Sequence, residues 1–167
     1  IQRPVYYPFA DSIQQQKRVV VNSPLQLRDG RYEIDFADFE RKAASPRCRA
    51  FVLSNPHNPV GRVYTEEELR RVGEICRRHH VFVIADEIHS DLIFPGHQHI
   101  VFASLGQNYA ENCAVCHAPS KTFNLAGLSF SCIMIPNEER RKRFDQMFAR
   151  YCRAHPNFFA PVAAKAA

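Results

Sequence analysis

The chain has 167 residues, enough for about one domain, with 46% hydrophobic and 23% charged residues. That balance excludes a disordered segment, and no apolar run approaches the ~18 residues a membrane helix needs. Lysine and arginine number 22 against 17 acids, a formal +5, but Arg70-Arg71, Arg77-Arg78 and Arg140 to Arg143 lie among glutamates, which points to solvated helix faces rather than a nucleic-acid surface.

Taken in order, Arg3 to Pro8 is a turn-rich entry carrying the adjacent Tyr6 and Tyr7. Phe9 to Gln16 predicts a short helix, Arg18 to Asn22 a strand, and Asp29-Gly30 a turn. Asp35 is placed to cap a helix that puts Phe36 and Phe39 on one face. Ala50 to Ser54 reads as a short apolar strand that ends in turn chemistry, Asn55-Pro-His-Asn58-Pro-Val-Gly61. Thr65-Glu-Glu-Glu68 is a capping box, followed by a helix with Leu69, Val72, Cys76 and His79 on one stripe.

Val81 to Ala85 is continuously apolar, as expected of a strand covered on both faces, with Asp86-Glu87-Ile88-His89 at its carboxyl end. Cys113 to His117 and Phe130 to Ile135 read as two further strands. Asn137 caps a last long helix whose Phe144, Met147, Phe148 and Tyr151 are expected to face inward. Ala160 to Ala167 has the composition of a helix cut short.

Six cysteines sit mostly in apolar patterns, which suits buried, reduced thiols and a cytoplasmic protein, and Ile1 to Pro4 is not a secretory leader. Cys113-Ala-Val-Cys116-His117 matches the c-type haem attachment spacing, but its strand-like alternation and the lack of secretory context argue against haem. His89, His97 and His99 with Asp91 fit no standard zinc spacing, so they are read as surface and cofactor-side residues.

Strands alternating with amphipathic helices imply an α/β fold with a largely parallel sheet. Ligands bind such sheets beyond the carboxyl ends of the strands, where Asn58, Asp86 and Lys121 all fall. Lys121 lies between two apolar runs among the small residues Ala118, Ser120, Ala126 and Gly127. A lysine buried there would be a usable nucleophile, because burial disfavours its ammonium form; the plainer reading is a surface lysine in a loop between strands.

Three segments now carry a resemblance. Asn55-Pro-His-Asn-Pro-Val-Gly61, Ala85-Asp-Glu-Ile-His89 and Pro119-Ser-Lys-Thr-Phe-Asn124 resemble, in order and spacing, the signatures of the class I/II aminotransferase-like enzymes. These are fold-type-I proteins that use pyridoxal 5′-phosphate (PLP). Asp86-Glu-Ile-His-Ser-Asp91 is most similar to the cystathionine β-lyase-like carbon–sulfur lyase branch.

The resemblance implies that Lys121 would hold PLP through its amine and later shuttle the substrate α-proton. Asp86 would pair with the pyridine nitrogen and Asn58 would hydrogen-bond the phenolic oxygen. Tyr6 would stack on the cofactor ring, with Tyr7 as the second choice. His89 stands where many aminotransferases carry a tyrosine, and Ser129 where many carry a phosphate-binding arginine; Ser120 is a weak stand-in for that arginine.

The implied architecture is an incomplete three-layer PLP-dependent transferase large domain. Residues 1–167 would be its central part, and 155–167 would start the helix leading to a small domain. The expected glycine-rich phosphate loop and carboxylate-binding arginine are not among these residues. The implied activity is β-lysis of a small cysteine conjugate by a cytoplasmic homodimer with no metal. Alternatives are an aminotransferase on the same scaffold, or a regulatory protein that kept the fold without catalysis.

Overall fold

The computed structural model describes residues 1–151 and 157–167, so Cys152 and the beginning of the 155–167 segment lie outside the described residues. Helix α1 (Pro8–Gln15) is followed by strands β1 (Gln26–Arg28) and β2 (Arg31–Glu33), then by α2 (Phe36–Ala43) and β3 (Ala50–Ser54). Next come α3 (Glu66–Arg78), β4 (Phe82–Asp86), the short α4 (Gln107–Ala110) and β5 (Cys113–His117). Strand β6 (Cys132–Met134) precedes α5 (Glu138–Tyr151) and α6 (Ala160–Ala166).

Strands β3, β4, β5 and β6 form one sheet in that order, the first three parallel and β6 antiparallel. Local chemistry sets the boundaries. Asp29 and Gly30 take positive φ values of 47° and 74°, the conformation a tight hairpin between β1 and β2 requires. The Asp35 carboxylate accepts the Asp38 N–H at 2.9 Å and starts α2. Thr65 and Glu68 close the predicted capping box, with the Glu68 N–H donating to Thr65 Oγ1 at 3.2 Å and the Thr65 N–H to Glu68 Oε2 at 2.8 Å.

The core lies between one face of the sheet and α3. Phe51, Leu53, Val83, Ala85, Cys113 and Val115 point down from the sheet and bury the helix stripe of Leu69, Val72, Ile75 and Cys76. Alternation explains the split, because successive strand residues face opposite sides. The other face is less covered than the apolar run implied: Phe82 and Ile84 of β4 are half-buried. Val52, Ile84 and Cys116 there line a groove of about 860 Å³ that reaches Phe9 and Ile13 of α1.

Several expectations are corrected. Arg18 to Asn22 is not a strand. The Ile1 amino group bonds to the Val21 carbonyl at 3.1 Å, and the Ser23 N–H to the Ile1 carbonyl at 3.0 Å, but no ladder runs along Arg18 to Val20. Val19 and Val21 are exposed. A β-branched run extends the backbone, yet a strand also needs a partner. The predicted strand Phe130 to Ile135 contracts to β6.

Phe144, Met147, Phe148 and Tyr151 do not face inward; they are exposed. Helix α5 meets the rest of the chain through its first turns, with Arg140 over the Phe82 ring at 4.8 Å and Arg141 Nη1 on the Ile135 carbonyl at 2.7 Å. Helical spacing fixes which residues share a face, but not which face meets the sheet.

Among the cysteines Cys76 and Cys113 are buried as expected, but Cys132 is exposed on β6. Cys113 and Cys116 are three residues apart on a strand and so point to opposite faces, which a haem linked to both thiols could not bridge. The basic helix faces are laced with acids, as in Arg70–Glu66 at 2.7 Å and Arg77–Glu74 at 3.0 Å. No helix among the described residues is long and apolar enough to cross a membrane.

Candidate active site

The three parallel strands deliver their carboxyl ends to one edge of the sheet, and the loops beyond them build a cavity of about 340 Å³. Asn58 comes from the loop after β3, Asp86 and His89 from the end of β4, and Ser120 and Lys121 from the turn after β5. Tyr6, from the entry segment, lines the same cavity. Tyr7 does not line it and is largely exposed.

Backbone and side-chain bonds fix each loop. The Tyr6 N–H donates to the Asn58 carbonyl at 2.9 Å, tying the tyrosine to the asparagine loop. His57 is fully buried beneath that loop; its Nε2 meets the Pro4 carbonyl at 2.9 Å and its Nδ1 the Tyr64 hydroxyl at 3.0 Å. Burial pushes the His57 pKa down, which suits a neutral ring serving both contacts. On the other side of the cavity, Thr122 Oγ1 donates to Asp91 Oδ2 at 2.7 Å and joins the lysine turn to the segment after His89.

Asp86 is the electrostatic centre of the cavity. Burial is the main cause that raises its carboxyl pKa above the usual range; the Ile88 N–H, donating to Oδ1 at 3.3 Å, and His89 pull the other way, and Glu87 adds to the rise. Among the described residues it forms no ion pair with lysine or arginine. A half-buried carboxylate without a cation fits the protonated ring nitrogen of a bound pyridine, which would supply the missing charge. Beside it, burial first and then Asp86 and Glu87 push the Cys116 thiol up to about 11, which makes it a poor nucleophile.

Lys121 lines the cavity as expected, but it is not buried; it lies exposed on the rim. The turn holding it is short, with the Phe123 N–H on the Pro119 carbonyl at 3.0 Å and the Leu125 N–H on the Ser120 carbonyl at 2.9 Å. The desolvation expected from its small neighbours is therefore not supplied by these residues. Ser129 lines the cavity together with Ser131, so hydroxyls stand where an arginine is common in the resembled family.

The histidine reading also changes. His97 is exposed, but His99 is half-buried, with its side chain turned inward to meet Glu87 Oε2 at 2.9 Å through its Nε2. No group of three or more potential metal ligands occurs among the described residues. Sequence reasoning passed over Glu87, which is fully buried. The available signal was strand alternation: with Asp86 facing the cavity, the next residue must face the core.

A family model described as aminotransferase class I and II matches residues 1–167. Cystathionine beta-lyase PatB of Bacillus subtilis is 45% identical over 167 residues, all of this chain and 43% of that protein. Aspartate aminotransferase of Geobacillus stearothermophilus is 30% identical over 127 residues, 76% of this chain and 32% of that protein. Among solved structures, cystalysin from Treponema denticola, which contains a pyridoxal 5′-phosphate cofactor, superposes with a TM-score of 0.95 at 36% identity, covering 98% of this chain and 42% of that one. The chain thus spans less than half the length of each of these relatives.

Proposed function

The chain belongs to the class I and II aminotransferase family, and from that premise we propose that it carries the cofactor-holding centre of a PLP-dependent carbon–sulfur β-lyase. The substrate class is a cysteine conjugate such as cystathionine, cleaved with one water to a thiol, pyruvate and ammonia. The observation that carries this reading is the cavity shared by Tyr6, Asn58, Asp86, His89, Ser120 and Lys121, with a half-buried carboxylate that forms no ion pair with lysine or arginine among the described residues. The likeness to a cystathionine β-lyase along the whole chain supports the lyase assignment.

PLP, when bound, supplies an electron sink for the pair of electrons left on the substrate's α-carbon. The remaining work belongs to this chain's residues. Lys121 Nζ would anchor the cofactor and take the α-proton. Asp86 would keep a proton on the ring nitrogen by offering it a negative partner. The Asn58 amide would donate to the phenolic oxygen, and His89 and the Tyr6 ring, which line the same cavity, would contact the cofactor ring. The Ser120 and Ser129 hydroxyls are suited to the phosphate. The family likeness also supports a homodimeric, cytoplasmic whole protein that acts on small amino-acid substrates.

An aminotransferase is the second reading, favoured by the aspartate aminotransferase among the relatives. The two differ in where the proton taken by Lys121 is delivered and in whether the Cβ–S bond breaks. Incubating the whole protein with cystathionine separates them. A lyase releases free thiol and pyruvate without a keto-acid co-substrate. An absolute requirement for a keto acid, with no thiol released, would overturn the proposal in favour of transamination.

A further inference from the structure

Glu87, the residue after Asp86, and His99 form a pair whose side chains are 3% and 8% exposed. The Glu87 carboxylate is satisfied on both oxygens: Oε1 accepts the Phe102 N–H at 2.8 Å and Oε2 meets His99 Nε2 at 2.9 Å. The other ring nitrogen, Nδ1, lies 3.5 Å from Asn55 Nδ2. Asn55 Oδ1 in turn accepts the Tyr64 N–H at 3.1 Å.

The donor and acceptor roles close consistently if His99 donates from Nε2 and accepts at Nδ1. The ring, the amide and the carboxylate are then all paired without a second charge in the core. The backbone ties the same residues to the cavity. The Asn55 N–H donates to the Asp86 carbonyl at 3.0 Å, and the Glu87 N–H to the Cys116 carbonyl at 2.9 Å. One end of this chain of bonds is therefore the residue after Asp86, and the other opens the loop that presents Asn58.

We infer that Glu87 and His99 are positioning residues that lock the Asp86 and Asn58 loops at the separation a single pyridine ring requires. This inference rests on the proposed PLP site. It goes beyond that reading by assigning part of the cofactor affinity to a pair that does not line the cavity. A carboxylate and a histidine here do more than fill the core: apolar residues of similar volume would fill it, but would leave the Phe102 N–H and the Asn55 Nδ2 donor without their partners.

The test uses the whole protein, stripped of cofactor and titrated with PLP, with visible absorbance and the circular dichroism of the bound ring as readouts. His99→Ala should weaken PLP binding by roughly tenfold or more, the scale of a lost hydrogen bond to a charged group. Glu87→Gln keeps an acceptor for the Phe102 N–H but sets an NH2 donor against the His99 Nε2–H, so it should weaken PLP binding in the same direction, and it carries the test if His99→Ala does not fold. A double-mutant cycle separates positioning from general stability. In an Asn58→Ala background, which removes the residue being positioned, His99→Ala should cost little more. Full additivity, or unchanged PLP binding by His99→Ala while the cofactor-free protein simply melts lower, would overturn the inference and leave the site reading intact. Failure of the wild-type whole protein to bind PLP would overturn both.

Discussion

Replacing Asp86 by asparagine keeps the side-chain shape and removes one charge, with opposite consequences for holding the cofactor and for stability without it. In the proposed complex the carboxylate pairs with the protonated ring nitrogen. Hydrogen bonds to charged partners contribute roughly 1.5–3 kcal/mol. Because Asp86 is half-buried rather than fully enclosed, the loss should fall below the ~3–5 kcal/mol seen when one member of a fully buried pair is removed. At about 1.36 kcal/mol per factor of ten, PLP affinity and thiol release should each fall roughly ten- to a hundredfold.

Without cofactor the sign reverses. Burial raises the Asp86 pKa, so the folded chain holds this proton more tightly than the unfolded chain does. The contribution to stability is full below the ordinary carboxylate value, is lost as pH rises through the raised value, and stays lost above it. Asparagine carries no such penalty. Cofactor-free Asp86→Asn should therefore melt at or above the wild-type temperature near neutral pH, with the gap closing at about pH 4. Thermal melts across pH, beside PLP titrations of the same samples, measure both effects. A variant that melts clearly lower at neutral pH and binds PLP within about threefold of wild type would refute the reasoning.

Lys121→Ala in the whole protein should abolish thiol release and any cofactor mass retained after borohydride treatment and denaturation; wild-type turnover by that variant would move the anchoring amine elsewhere. Gly73→Ala should destabilise by about 1–3 kcal/mol, despite alanine's better helix propensity, because a Cβ there would lie 2.5 Å from Tyr109 Cδ1. Chemical denaturation measures it, and an unchanged midpoint would mean that the Tyr109 ring moves aside freely.

The residues of the cavity were legible because turn chemistry and strand ends are written locally. Asn58 follows a proline-rich stop, Asp86 ends an apolar run, and Lys121 stands among small residues. The capping residues Asp35 and Thr65 were readable for the same reason. What failed depended on partners. The Val19 to Val21 stretch has strand composition but no ladder of its own, and the stripe on α5 has helical spacing but is not covered by any of the described residues. His99 looked like a surface histidine because nothing in its neighbourhood along the chain announces Glu87 beneath it. The exposure of Lys121 was likewise invisible, since small neighbours permit close approach without enforcing burial.

The parallel register of β3, β4 and β5 bears on how the cavity comes into being during folding. Asn58, Asp86 and Lys121 stand roughly 30 residues apart in sequence, the span of a strand–helix–strand unit, and each step between them is a crossover rather than a hairpin. Every such pairing closes a long loop before any contact offsets the lost chain entropy, so these pairings are intrinsically slower than the local β1–β2 hairpin or the capped α3. No pair of these three side chains can meet in a partly folded chain that has only its local structure. Competence to receive a ligand at this edge should therefore arise late and all at once, when the last crossover is laid down, and not grow in proportion to helix content.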